Sequence, residues 1–153
     1  MKTVLALRQV QRQSSPRDNH IKRVLVFGTF DGLHPGHCDF LKQAKKQGGY
    51  LIAVAALDAT VKSVKGHLPK IKERERLEAL KKSGLVDQAV FGDNSDPYKI
   101  IRQINPDIIC LGYDQEAFTE ELPEALRKTG LGTTIIRLKP FQPERYHSAI
   151  LNL

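Results

Sequence analysis

Residues 22–37 read KRVLVFGTFDGLHPGH, and this stretch decides the fold. Lys22–Gly28 is a short apolar run that ends on glycine, the pattern of a strand buried on both faces of a parallel sheet. A glycine-bounded turn follows, and then an amphipathic segment. Over Gly36–Gln47, Phe40, Leu41 and Ala44 fall on one helical face with lysines opposite, and Gly48-Gly49 stop it. Strand, turn and helix together open a βαβ unit.

The rest of the chain repeats this alternation. Tyr50–Leu57 reads as a second buried strand, and Ala59–Lys65 as a short helical or irregular piece. Lys72–Ser83 is a charged helix with Leu77 and Leu80 inward, ended by Gly84. Val86–Phe91 is a third strand. Asp96-Pro97 opens a helix through Ile104, with aspartate at the N-cap and proline in the first turn. Asp107–Leu111 is a fourth strand, Glu120–Thr129 a helix and Thr133–Leu138 a fifth strand. The expected fold class is therefore α/β, a single Rossmann-like, doubly wound, five-stranded parallel sheet with helices on both faces. Such sheets bind ligands beyond the carboxyl ends of their strands, which directs attention to Gly28–His37, Leu57–Lys65, Phe91–Pro97 and Gly112–Gln115.

The 153 residues suffice for one domain with a real core. No apolar run approaches the ~20 residues that a membrane helix needs. The two cysteines, Cys38 and Cys110, are too few for a disulfide framework and read as reduced thiols of a cytoplasmic protein. The formal net charge is +7, yet six bases and one acid lie in residues 1–23, and the remaining 130 residues hold 18 bases and 16 acids. A basic body would point to nucleic acid along a whole face, whereas a basic arm is weaker evidence. Residues 1–20 are expected to form a flexible solvated arm, with residues 21–153 as the folded domain. A short docked segment and a targeting or nucleic-acid-binding arm are the other readings; Val4–Leu7 is too short for a secretory apolar region.

The turn after the first strand is not the G-x-G-x-x-G dinucleotide fingerprint. It supplies glycines, then His34 and His37 three residues apart at a helix start, where free N–H groups and the positive dipole end favour phosphate. Both imidazoles can donate to one phosphate, and Gly36 permits close approach. The competing readings are metal ligands, for which no matching Cys/His pair exists elsewhere, and plain polar capping residues.

Val26–His37, VFGTFDGLHPGH, resembles the signature of the cytidylyltransferase-like nucleotidyltransferases, of the HxGH type. Leu57-Asp58 with Thr60-Val61-Lys62 and Lys65-Gly66 is similar to that family's second segment, Glu75-Arg76-Leu77 with Val86-Asp87 to its third, and Leu111–Gln115 to its fourth-strand loop. The tail Lys139–Ser148 most resembles that of archaeal-type FAD synthases, which adenylylate FMN. Ala149 departs from that pattern, standing where a second hydroxyl residue is usual. The resemblance implies that Thr29 and Phe30 line the nucleotide site with their backbone, and that Asp31, Pro35 and Gly36 belong to the same nucleotide-binding segment. It implies that His34 and His37 hold the nucleotide phosphates, His37 stabilising the transferring group, with Lys65 (or Lys62) steadying a phosphate. Asp114 would touch the nucleoside, and Phe141 and Ser148 would close the site. Each has a blander reading. Lys62 and Lys65 could be a solvated pair, Arg76 an ion partner for Glu73, Asp114 a turn residue, Phe141 a core plug and Ser148 an N-cap.

The expected reaction moves a nucleoside monophosphate from a nucleoside triphosphate to a phosphate monoester with release of pyrophosphate. AMP from ATP to FMN, giving FAD, comes first. A cytidylyl- or adenylyltransferase acting on a phosphorylated alcohol or sugar, such as glycerol 3-phosphate, comes second, and a non-catalytic nucleotide- or nucleic-acid-binding module third. Mg²⁺ is expected to accompany the nucleotide, with no dedicated metal ligands in the protein. No membrane partner is expected; many relatives in the superfamily are dimers, so a homodimer is one of the states open to the chain, whose oligomeric state the sequence does not give.

Overall fold

A computed structural model describes residues 21–116 and 120–140. The elements in chain order are β1 (Lys22–Gly28), α1 (Pro35–Gly48), β2 (Gly49–Ala55), α2 (Asp58–Lys65), α3 (Glu73–Lys82), β3 (Gln88–Phe91), α4 (Lys99–Ile104), β4 (Ile108–Leu111), α5 (Leu122–Thr129) and β5 (Thr134–Arg137). Five parallel strands form one sheet in the order β3-β2-β1-β4-β5. The chain winds outward from β1 through β2 to β3, then returns to lay β4 on the other side of β1. The winding therefore reverses between β1 and β4, which is where a doubly wound sheet opens a crevice.

Alternation along the strands divides the core in two. Val24 and Val26 of β1 pack with Leu41 and Ala44 of α1 and Leu80 of α3 on one face. Leu25 of β1 packs with Ile100, Ile101 and Ile104 of α4 and Leu122 and Leu126 of α5 on the other. Both faces are covered, as the near-continuous apolar strands require. The connection from α1 to β2 is tight. Gly49 takes the left-handed conformation at φ 103°, and a Cβ on Gly48 would lie 2.5 Å from the Lys22 carbonyl oxygen.

The expected elements are all present, with boundaries moved by one or two residues in most cases. Two details differ. Asp96 does not cap α4. The helix begins at Lys99 behind Tyr98, and the Asp96 carboxylate instead accepts from the Tyr98 N–H in the turn before it. Arg76, which belongs to the family-like third segment and for which a surface ion pair with Glu73 is the blander reading, is 1% exposed and faces inward from α3 beside Leu80, which overturns that blander reading. Among the described residues no helix is long and apolar enough to cross a membrane.

Candidate active site

The carboxyl ends of β1, β2, β3 and β4 open on a cavity of about 760 Å³. That is the upper part of the ~300–1,000 Å³ range of ligand pockets, with room for two small substrates. Thr29, Phe30, Asp31, His34, Gly36, His37, Lys65 and Asp114 all line it. Pro35 does not. It stands exposed as the first residue of α1, where its missing N–H costs nothing. Lys62 is also outside the lining. Phe141 and Ser148, the basic arm of residues 1–20, and the motif tail beyond Pro140 lie outside the described residues.

Each of the two histidines engages the backbone through one ring nitrogen and leaves the other unbonded. His34 is the N-cap of α1, and its Nδ1 accepts from the Gly36 N–H (3.1 Å) and the His37 N–H (3.3 Å). Pro35 has no N–H, and the Cys38 N–H bonds the His34 carbonyl. The first turn therefore has no free backbone donor there, contrary to the expectation that such groups greet a phosphate. The positive dipole end remains, with no acidic residue in the first turn to neutralise it.

What remains open toward the cavity is one nitrogen of each imidazole. Because Nδ1 of His34 accepts, its neutral ring carries the proton on Nε2. His37 Nδ1 lies 2.9 Å from the Gly32 carbonyl and 3.4 Å from the His34 N–H. The shorter contact makes Nδ1 the donor to Gly32, so Nε2 of His37 holds a lone pair until it is protonated. No described residue bonds either Nε2. The rings stack with centroids 3.7 Å apart and planes 23° from parallel. Burial first, then the adjacent His34 and Lys65 charges, push the His37 imidazole down to about 4, and burial lowers His34 as well. Both imidazoles are thus neutral at pH 7 beside a helix N-terminus, and an anion bound there would offset these effects by favouring the protonated rings.

The loop around them is tied to the body. Phe30 adopts φ 53°, unusual for a side chain of its size, and its ring edge meets His37 with centroids 5.8 Å apart. The ring lies over Gly28, where a Cβ would stand 2.8 Å from two ring carbons. Asp31 accepts from the Lys70 and Ile71 N–H groups, both at 2.8 Å. Burial pushes its carboxyl up, but those two donors and the nearby Arg76 outweigh it and hold the group below its ordinary value. Asp31 thus spends its carboxylate on clasping the loop between α2 and α3.

Opposite, the turn after β4 is stapled shut. Gln115 accepts from the Gly112 N–H and donates to the Phe27 carbonyl, while Arg137 donates to the carbonyls of Gly112 and Gln115. Asp114 sits exposed at its tip, on the cavity wall. The wall on the α4 and α5 side is apolar, built from Phe27, Val54, Tyr98, Ile101, Leu111 and Leu122. Sequence reading missed that wall because periodicity marks these residues only as core. It also missed Lys139, which lines the cavity, and the inward turn of Arg76. Among the described residues no group of three or more His, Cys, Asp or Glu is placed to hold a metal ion.

A family model described as cytidylyltransferase-like matches residues 25–150. A FAD synthase of Ferroglobus placidus is 44% identical over 120 residues, covering 78% of this chain and 77% of that protein. A FAD synthase of Archaeoglobus profundus is 43% identical over 129 residues, covering 83% of this chain and 81% of its own. Among solved structures, a protein of Thermoplasma volcanium described as a lipopolysaccharide core biosynthesis protein superposes with a TM-score of 0.75 at 37% identity, over 80% of this chain and 99% of that one. The pantoate-beta-alanine ligase of Francisella tularensis gives a TM-score of 0.60 at 15% identity, over 90% of this chain and 66% of that one, a likeness of fold alone.

Proposed function

The chain belongs to the cytidylyltransferase-like family, and from that premise we propose that it is a FAD synthase, a nucleotidyltransferase that moves AMP from ATP to FMN and releases pyrophosphate. One observation carries the chemistry. Two stacked imidazoles, each with Nδ1 engaged by backbone, face a cavity with room for a nucleotide and an acceptor.

An oxygen of the FMN phosphate attacks the α-phosphorus of ATP, the bond from that phosphorus to the bridging oxygen of the β-phosphate breaks, and pyrophosphate leaves with the electron pair. The acceptor is already an anion near neutral pH, so the step needs no general base. It needs positioning and relief of negative charge. His34 offers its Nε2–H in the neutral state. His37 becomes a second donor once the bound phosphates favour its protonation, and it faces the α-phosphoryl group where charge shifts. Lys65 supplies a movable point charge for the outer phosphates or the acceptor phosphate. Mg²⁺ bound with the nucleotide would supply further charge neutralisation at the phosphates; among the described residues no cluster of carboxylates is placed to hold it, so the nucleotide itself would carry it.

The two ring systems have different homes. The apolar wall of Phe27, Val54, Tyr98, Ile101, Leu111 and Leu122 suits the isoalloxazine, whose benzenoid edge has little to hydrogen-bond. The polar turn at Gly112–Glu116, with Asp114 at its tip, suits the adenosine. The backbone of Thr29, Phe30 and Gly36 lines the same cavity. We place the reaction in the cytoplasm, a reading that the two unpaired thiols support; burial pushes the Cys110 thiol up to about 12.

The test is an acceptor screen by mass spectrometry. The protein is mixed with ATP or CTP and, in turn, FMN, glycerol 3-phosphate and a sugar phosphate, the last included because of the description that the Thermoplasma volcanium structure carries. FAD from ATP and FMN is the expected product. A CDP-alcohol or nucleotide sugar with no flavin product overturns the FMN assignment.

A further inference from the structure

Arg76 is the most buried charged side chain among the described residues, 1% exposed, and nothing in a solvated helix face explains it. Its three guanidinium nitrogens go to three different segments: the Thr29 turn and the helix begun by Asp58, both of which contribute to the cavity wall, and the loop at Ile71 behind them. Nε donates to the Ile71 carbonyl at 2.8 Å, Nη1 to the Thr29 carbonyl at 2.7 Å and Nη2 to Asp58 Oδ1 at 2.8 Å. A buried ion pair is weak evidence for stability by itself, since desolvation offsets the attraction. A planar fork with fixed directions is a means of holding geometry.

Each of the three partners leads to the phosphate corner. The Thr29 carbonyl belongs to the peptide that enters Phe30, whose left-handed backbone places its ring edge on His37. The Phe30 carbonyl accepts from the Gly32 N–H at 2.9 Å, and Gly32 in turn receives His37 Nδ1. Asp58 is the first residue of α2, the helix that ends at Lys65, and its N–H is held by Glu73 at 2.7 Å. Val61 is the one buried residue of α2, so the Arg76–Asp58 bond at its start is a large part of what ties that helix to the body. Ile71 ends the loop that Asp31 clasps.

We propose that Arg76 is a positioning residue for nucleotidyl transfer: its buried guanidinium fixes the Thr29–Gly32 loop that orients His37, and the start of the helix that carries Lys65. The inference rests on the reading of His37 and Lys65 as phosphate-site groups. It assigns Arg76 no contact with substrate. Lysine at this position keeps the charge near Asp58 but cannot bond three divergent acceptors.

The experiment compares Arg76→Lys and Asp58→Ala with the wild type in three readouts: thermal melting, steady-state kinetics with ATP and FMN, and the His37 titration followed by NMR without substrate. Arg76→Lys is expected to lower kcat about 10- to 100-fold with the KM for ATP within threefold, and to move the His37 titration up from about 4 toward its ordinary value as the ring loses its packing. Asp58→Ala is expected to move both in the same direction by less. A lower melting temperature with wild-type kcat and an unmoved His37 titration would make the network merely structural and overturn the proposal. If Arg76→Lys does not fold, Asp58→Ala decides alone, and wild-type values for kcat and His37 in it overturn the proposal. The titration uses no acceptor, so a failure of FMN as substrate leaves this test intact and separable.

Discussion

At the scale of single residues, the division of labour within each imidazole governs the site. His34 and His37 spend Nδ1 on the helix start and on the loop, which leaves Nε2 for a ligand. Sequence spacing put both histidines in the first turn but could not say which nitrogen was engaged, since tautomers follow from bonds made in the fold. Gly28 is a second such case. Its glycine reads as a strand end, and only the folded chain puts the Phe30 ring over it. Gly28→Ala is expected to displace that ring and lower kcat at least tenfold while the protein still folds, checked by kinetics alongside circular dichroism. The His37 titration also has a stability consequence. Its folded value of about 4 lies below the ordinary 6.5, so between those values the unfolded chain binds a proton that the native chain does not. Stability is therefore expected to fall as pH drops from 6.5 toward 4. Urea melts of His37→Gln should show a shallower dependence across that window, the remaining slope belonging in part to His34.

At the scale of elements, the strands and helices were legible because their apolar periods differ and glycines punctuate them. Gly48-Gly49, Gly84 and Gly130 mark helix ends in the sequence and stand at or just beyond them in the fold. The helix α4 start was misjudged because an aspartate before proline can cap a turn as well as a helix, and here the carboxylate satisfies Tyr98 one turn early. The inward position of Arg76 was not legible for a related reason. An arginine three residues from a glutamate satisfies a surface rule, and nothing local reveals that its acceptors come from residues 29, 58 and 71. At the α1–β2 connection the close approach of Gly48 to the Lys22 carbonyl leaves no space for a methyl group, and backbone cannot swing aside as a side chain does. Gly48→Ala is expected to cost about 1–3 kcal/mol, read as a lower midpoint in urea unfolding.

At the scale of the whole molecule, the reversal of winding between β1 and β4 sets the site. It brings the His34–His37 turn and the Gly112–Gln115 turn to opposite sides of one crevice, although they lie far apart in sequence. That rule was readable from the alternation of elements. The apolar wall of the cavity was not, because residues such as Val54 and Leu111 serve the core and the cavity at once. A ligand that binds only the native state stabilises it by mass action, about 2.7 kcal/mol at a hundredfold excess over Kd. Magnesium-ATP is therefore expected to raise the melting temperature by several degrees, an increase that largely disappears when both histidines are changed to alanine.

The most direct measurement sets the rate of FAD and pyrophosphate release from ATP and FMN in the wild type beside that of His37→Ala, with both shown to be folded. Loss of one well-placed donor to a transferring group typically costs about 100- to 1,000-fold in kcat. The expected result is FAD and pyrophosphate in equal amounts from the wild type and a loss of that order in the variant. Equal rates in the two proteins would contradict the role of the paired imidazoles.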